Sequence, residues 1–145
     1  MVCRSGKRFG GLVPLKKLVY LISPGKINKK FYSNLHAVLS QGNVKFFQLR
    51  LKNIKANKLL QVAKDIRKIT FKHKVKFIIN DNFNLALRVK ADGCHMGQLD
   101  GSVKLAKKKL KNKILGVTCH NSKILAKNAI KDKANYLAFG SFFKS

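Results

Sequence analysis

The sequence predicts an α/β fold organised around a parallel sheet, and three observations carry that prediction. From Leu18 onward, short apolar runs alternate with helix-length amphipathic segments. The runs are apolar along their length, as strands covered on both faces are. The polar and charged residues with chemical potential collect at the carboxyl ends of those runs, where parallel α/β sheets build their ligand sites.

Each element follows in order. The first strand ends near Ile22, in Tyr20-Leu21-Ile22, and Pro24-Gly25 punctuates the loop after it. Phe31, Leu35, Val38 and Leu39 then recur at helical spacing, and Gly42-Asn43 closes that segment. The second strand carries Phe46 and Phe47 and ends near Leu49. Leu59, Leu60, Ala63, Ile66 and Ile69 form the next helical stripe. Phe77-Ile78-Ile79 is the third strand and runs straight into Asn80-Asp81. Gly93-Cys94-His95-Met96-Gly97-Gln98 holds the fourth strand, ending near His95, ahead of Asp100. A lysine-rich helical stretch follows, with Lys104, Lys107, Lys108, Lys109 and Lys111. The fifth strand ends near Val117, Asn121-Ser122 reads as an N-cap, and Ile124, Leu125 and Ala129 mark the last helix. The sixth strand ends near Phe139. Steps of about 23 residues from strand to strand match the βα unit of a compact (β/α)₈ barrel, although six runs are visible where a barrel closes with eight. An open doubly wound sheet would place ligands similarly, and periodicity alone does not separate the two. The absence of a G-x-G-x-x-G motif weakens a dinucleotide fold.

Composition bounds the rest. At 145 residues, 46% apolar, the chain makes one globular domain with a real core. Residues 1–17 read as a basic, loose N-terminal extension, broken by Gly6, Gly10, Gly11 and Pro14, and residues 18–145 as the domain. No segment approaches a membrane span or a signal peptide, so no membrane partner is expected. Three cysteines with no close pairing argue for reduced thiols and a cytoplasmic address. The net charge of +27 attracts polyanions. Its lysines, however, are spread through helical stretches without interleaved aromatics. Phe46, Phe47, Phe77 and Phe139 fall at strand positions and are expected in the core. No specific nucleic-acid partner is therefore expected, only nonspecific binding at low salt.

The chemistry concentrates in few residues. Asp81 and Asp100 sit just past the ends of successive strands, in a chain with only five acidic residues. Singly, each has an ordinary reading: Asp81 closes a turn and Asp100 caps a helix. Together they suit a hard cation such as Mg²⁺, which one or two carboxylates hold together with substrate phosphates. Gln48, Arg50 and Lys52 alternate with Leu49 and Leu51, which puts the amide and both cations on one side. Asn80 ends the third strand, Thr118 and His120 end the fifth, and Gly140 follows the sixth, where a small residue lets backbone approach a ligand. Cations and amide donors beside two carboxylates make sense as a Mg²⁺–diphosphate site. His95 reads as a satisfied core histidine. A zinc site from Cys94, His95, Cys119 and His120 is disfavoured, because neighbouring strand residues face opposite sides and split each pair.

In Tyr20-Leu21-Ile22, Gln48-Leu49-Arg50-Leu51-Lys52, Ile79-Asn80-Asp81, Asp92-Gly93-Cys94-His95-Met96-Gly97-Gln98, Asp100, Gly116-Val117-Thr118, His120 and Phe139-Gly140, the chain resembles the thiamine phosphate synthase family over residues 18–145. The resemblance implies a TIM barrel and a transferase. It would couple hydroxymethylpyrimidine diphosphate to thiazole phosphate, releasing diphosphate and forming thiamine phosphate. Carried over by position, Gln48, Arg50, Lys52, Asn80 and Thr118 would contact the diphosphate, with Arg50, Lys52 and Thr118 as the catalytic groups. Gly140 would line the substrate, and Asp81 and Asp100 would hold Mg²⁺. The implied chemistry is dissociative, and it fits a site rich in anion-neutralising groups with no obvious nucleophile.

Two departures stand out. Leu51 occupies a position where the family often has an acid, but that side chain points away from the site. The chain also stops at Phe142-Phe143-Lys144-Ser145, where the family continues into a phosphate loop and strands seven and eight. The resemblance therefore implies a C-terminally truncated, incomplete barrel whose thiazole-phosphate residues lie beyond the C-terminus, and a fragment inactive by itself. The rival readings are a thiazole tautomerase-type relative, which shares the barrel without the diphosphate chemistry, and a basic nucleic-acid-binding module.

Overall fold

The computed structural model describes residues 18–140. The expectations for the N-terminal extension, and for Lys144 and its neighbours, lie outside those residues. Six strands alternate with five helices: β1 (Val19–Ile22), α1 (Lys29–Ser40), β2 (Val44–Leu49), α2 (Ala56–Lys72), β3 (Lys76–Asn80), α3 (Phe83–Arg88), β4 (Gly93–Met96), α4 (Val103–Leu110), β5 (Ile114–His120), α5 (Lys123–Lys131) and β6 (Tyr136–Phe139). Every neighbouring pair is parallel and the sheet order is β1-β2-β3-β4-β5-β6. A doubly wound sheet reverses direction at a switch point. This one never does, so the described residues form an incomplete TIM-type barrel.

The sheet has two unlike faces. Phe47, Leu49, Phe77, Ile79, Cys94, Met96, Leu115 and Val117 point outward and are fully buried against Leu35, Leu39, Ala63, Ile66, Ala86 and Ala106 of the helices. That layer is the hydrophobic core. The alternate positions face the barrel interior and carry the polar side chains. Side-chain caps start four of the five helices: Asn28, Asn82, Ser102 and Ser122 each accept a backbone N–H three residues on, while α2 begins at Lys55 with no such cap. The cap at Ser122 agrees with the sequence. The cap at Ser102 corrects the ordinary reading of Asp100, which does not cap α4. On the outside, α1 and α2 are tied by His36 Nδ1 and His73 Nε2, 3.0 Å apart.

Three elements differ from expectation. The fifth strand runs three residues past Val117, to His120, with an irregularity in its pairing to β6 between Thr118 and His120. The helix α3 is six residues long, too short to present a readable helical period. Phe139 is not in the core but 49% exposed, as Ile22 is at 50%. The physical reason is shared: among the described residues β1 and β6 are paired on one side only.

Candidate active site

At the carboxyl ends of the strands lies a hollow of about 620 Å³. Gln48, Arg50, Lys52, Asn80, Asp81, Asp100 and Thr118 all line it, as sequence reasoning brought them together. Gly140 does not: it lies past β6 with φ +129°, its N–H on the His120 carbonyl at 3.1 Å, and is not among the lining residues. His120 lines the hollow at its exposed mouth.

The rim is charged. Asp81 follows β3 in the left-handed region, φ +63°, with its N–H donating to the His95 carbonyl at 2.7 Å. A residue that turns the chain there and points its carboxylate inward serves both readings at once. Asp100 is fixed by the Gly97 N–H, 2.6 Å from its Oδ2. A Cβ at position 97 would lie 2.7 Å from that oxygen, so glycine lets the carboxylate dock on backbone. The two carboxyls are within hydrogen-bonding reach of each other. Burial, followed by the hydrogen bond and charge of Asp100, pushes the Asp81 carboxyl up to about 6, although Lys52 and Arg50 pull the other way. Two acids held together against their own repulsion, with oxygen-only donors, fit a hard divalent cation. Among the described residues no group of three or more histidines, cysteines or acids converges. Phosphate oxygens and water would have to complete such a coordination shell. Arg50 and Lys52 project from the strand end as exposed cations. The Arg50 backbone is anchored by buried Ser23, whose Oγ accepts the Arg50 N–H at 2.9 Å.

The floor is neutral, and each of the six strands contributes one residue to it. Gln48 Nε2 donates to Asn80 Oδ1. Tyr20 donates to Gln48 Oε1 at 3.1 Å and lies 2.7 Å from the Tyr136 hydroxyl. His95 places Nδ1 3.0 Å from the Tyr136 oxygen and Nε2 2.8 Å from Thr118 Oγ1. A tyrosine hydroxyl has one proton, so the direction of the chain is determined. Tyr20 gives its proton to Gln48 and must accept from Tyr136. Tyr136 must accept from His95 Nδ1–H, leaving Nε2 to accept from Thr118. Burial agrees with this neutral state. It lowers the pKa of His95, raises that of Tyr20 to about 12 and drives that of Tyr136 well above its ordinary value.

His95 is thus satisfied, as the core reading held, yet it also lines the hollow. The register explains why these groups meet: Asn80, His95, Gly116 and Tyr136 are successive partners across β3, β4, β5 and β6. Gly116 leaves the space that the Tyr136 ring fills, since a Cβ there would collide with the phenol. Sequence reasoning assigned no role to Tyr20, Tyr136, Ser23 or Gln98. For the tyrosines a signal existed: a hydroxylated aromatic inside an otherwise apolar strand needs a partner when buried. Cys94 is wholly buried on the other face and its thiol is pushed up to about 12, chiefly by burial.

Comparison with known proteins follows the same outline. A profile of the thiamine monophosphate synthase family matches residues 19–145. A thiamine-phosphate synthase of Pelagibacter ubique is 58% identical over 130 residues, which cover 88% of this chain and 62% of that protein. One from Erythrobacter litoralis is 42% identical over 130 residues, with 88% and 61% covered. Among solved structures, a thiamine phosphate pyrophosphorylase from Pyrococcus furiosus superposes with a TM-score of 0.77 at 29% identity, over 88% of this chain and 62% of that one. The chain spans less than two thirds of the length of these relatives.

Proposed function

The chain belongs to the thiamine monophosphate synthase family, and on that premise we propose that it serves to couple hydroxymethylpyrimidine diphosphate to thiazole phosphate, giving thiamine phosphate and diphosphate. The observation that carries this reading is the division of the hollow into a charged rim and a neutral, hydrogen-bonding floor. A substrate with a diphosphate at one end and a polar aromatic ring at the other matches that division.

Asp81 and Asp100 would hold Mg²⁺, whose contribution is to neutralise charge on the diphosphate oxygens. Arg50 and Lys52 bring two further positive charges to the same end, and Gln48, Asn80 and Thr118 supply neutral donors and acceptors. When the bond from the pyrimidine methylene to oxygen breaks, its electron pair leaves with the diphosphate. Arg50 and Lys52 stabilise that growing negative charge because they are already in place before it develops. The thiazole nitrogen then donates its lone pair to the methylene carbon, forming the new C–N bond. No side chain of the hollow needs to act as nucleophile. The neutral floor suits this step, since a protonated His95 beneath an electron-deficient methylene would oppose it. A cytoplasmic site of action fits the free thiols of Cys94 and Cys119.

Calorimetric binding of hydroxymethylpyrimidine diphosphate, with and without Mg²⁺, tests the first half of the reading, and diphosphate release on adding thiazole phosphate to the full-length protein tests the second. Mg²⁺-dependent binding followed by release is expected. Absence of Mg²⁺-dependent binding would remove the site assignment, and binding without release would move the protein toward the tautomerase type.

A further inference from the structure

The amino ends of the strands carry a second charged surface, at the opposite end of the sheet from Asp81 and Asp100. Phe71 sits in the last turn of α2 and is 72% exposed. The Arg67 guanidinium lies 5.4 Å from its ring centroid. Lys72, Lys74 and Lys76 border the same concavity. Arg67 is shared with an adjoining concavity lined by Lys64, Lys68, Arg88 and Lys90. Asp92 pairs with Arg67 at 2.8 Å and Lys76 at 3.3 Å, and Asp65 with Lys68 at 3.9 Å. Among the described residues no acid pairs with Lys64, Lys72, Lys74, Arg88 or Lys90, which keep the surface positive.

Lysines at helix carboxyl ends are ordinary, because they complement the helix dipole. The α4–α5 side shows the ordinary case: Lys104, Lys107, Lys108, Lys111, Lys131 and Lys133 surround a hollow with no aromatic. The α2–α3 side differs by its exposed ring held among cations. That combination suits a chain of phosphates whose bases are free to stack. A duplex hides its base faces, and a bilayer would take a cluster of apolar side chains rather than one ring in a concavity.

We propose that the α2–α3 surface binds single-stranded nucleic acid without sequence preference, with Phe71 stacking on a base and the surrounding lysines contacting phosphates. The test is fluorescence anisotropy with a labelled twenty-residue oligothymidine, titrated with salt, on the full-length protein. Phe71→Ala is expected to weaken binding about tenfold with the salt slope unchanged, because stacking is not ionic. Replacing Lys64, Lys72 and Lys90 together by glutamine should flatten the slope of log K against log salt by about 2, at roughly 0.7 per phosphate contact. Replacing Lys108, Lys111 and Lys131 by glutamine removes the same charge elsewhere and should change the slope by far less. Equal losses in the two triple variants would mean a diffuse field only, and would overturn the proposal. So would Phe71→Ala binding as tightly as the parent. Phe71-dependent binding to phosphatidylglycerol vesicles, with oligonucleotide binding unaffected, would assign the surface to a membrane instead. All these residues lie outside the candidate active site, so Mg²⁺-dependent substrate binding serves as the control and keeps the two readings separable.

Discussion

The hydroxyls of Tyr20 and Tyr136 lie 2.7 Å apart, joining β1 to β6 across 116 residues of chain. They are the middle link of the neutral floor, and through them the first and last described strands touch although their backbones do not pair. Tyr136→Phe leaves the Tyr20 oxygen without its donor, though still bonded to Gln48, and His95 Nδ1–H without its acceptor, so it should cost about 1–3 kcal/mol in urea unfolding. Tyr20→Phe should cost a similar amount, and the double variant less than the sum. Strict additivity would show that the two hydroxyls are not coupled.

Asp81 provides a pH signature. Its folded pKa of about 6 lies above the value of about 3.9 for an unfolded aspartate. The folded protein therefore binds this proton more tightly. The stability contributed by Asp81 is complete below the unfolded pKa and is lost as pH rises through about 6. Metal-free protein is expected to melt at a lower temperature at pH 7.5 than at pH 5 through this group, and Mg²⁺ at pH 7.5 should recover the lost stability. Asparagine tolerates the same left-handed backbone, so Asp81→Asn should flatten the profile and abolish the Mg²⁺ gain. Parallel Tm–pH curves for parent and variant would remove the Asp81–Asp100 coupling.

Charge at the rim should govern binding more than folding. Arg50→Ala is expected to weaken binding of the diphosphate substrate by about 1.5–3 kcal/mol, the range for a charged hydrogen bond, with little change in Tm. Asp81→Asn and Asp100→Asn should each raise the Mg²⁺ concentration needed for half-maximal turnover. Titrations that superimpose on the parent would make both residues turn formers only.

Gly116→Ala tests the packing beneath the floor. A methyl group there displaces the Tyr136 ring, and overpacking of this kind costs about 1–3 kcal/mol. Substrate binding should weaken alongside stability, because the displaced phenol also releases His95. A variant that loses stability but binds substrate normally would show that the floor is structural alone.

A polypeptide of these 145 residues by itself should associate through its strand edges. Leu18, Val19, Ile22 and Phe139 are each more than 40% exposed on β1, β6 and their margins, and an uncovered apolar edge recruits another strand. Sedimentation should show concentration-dependent oligomers. A monomer with one sharp thermal transition would overturn that expectation.

What the sequence determined by itself was whatever depends on neighbours within a few residues. The βα alternation, the cap at Ser122 and the shared side of Gln48, Arg50 and Lys52 all follow from local periods of 3.6 and 2. The presence of Asp81 and Asp100 at strand ends was legible for the same reason. Tertiary structure decided the rest, because it depends on which strand lies beside which. The unreversed strand order chose the barrel over the doubly wound sheet. Register placed Gly116 under Tyr136, and the curvature of the sheet carried Tyr136 to Tyr20. Burial, and after it the proximity of a second carboxylate 19 residues along the chain, raised the pKa of Asp81. Exposure of Phe139 and Phe71 was equally invisible in the string of residues, since burial is a property of the neighbours that the fold supplies and not of the side chain itself.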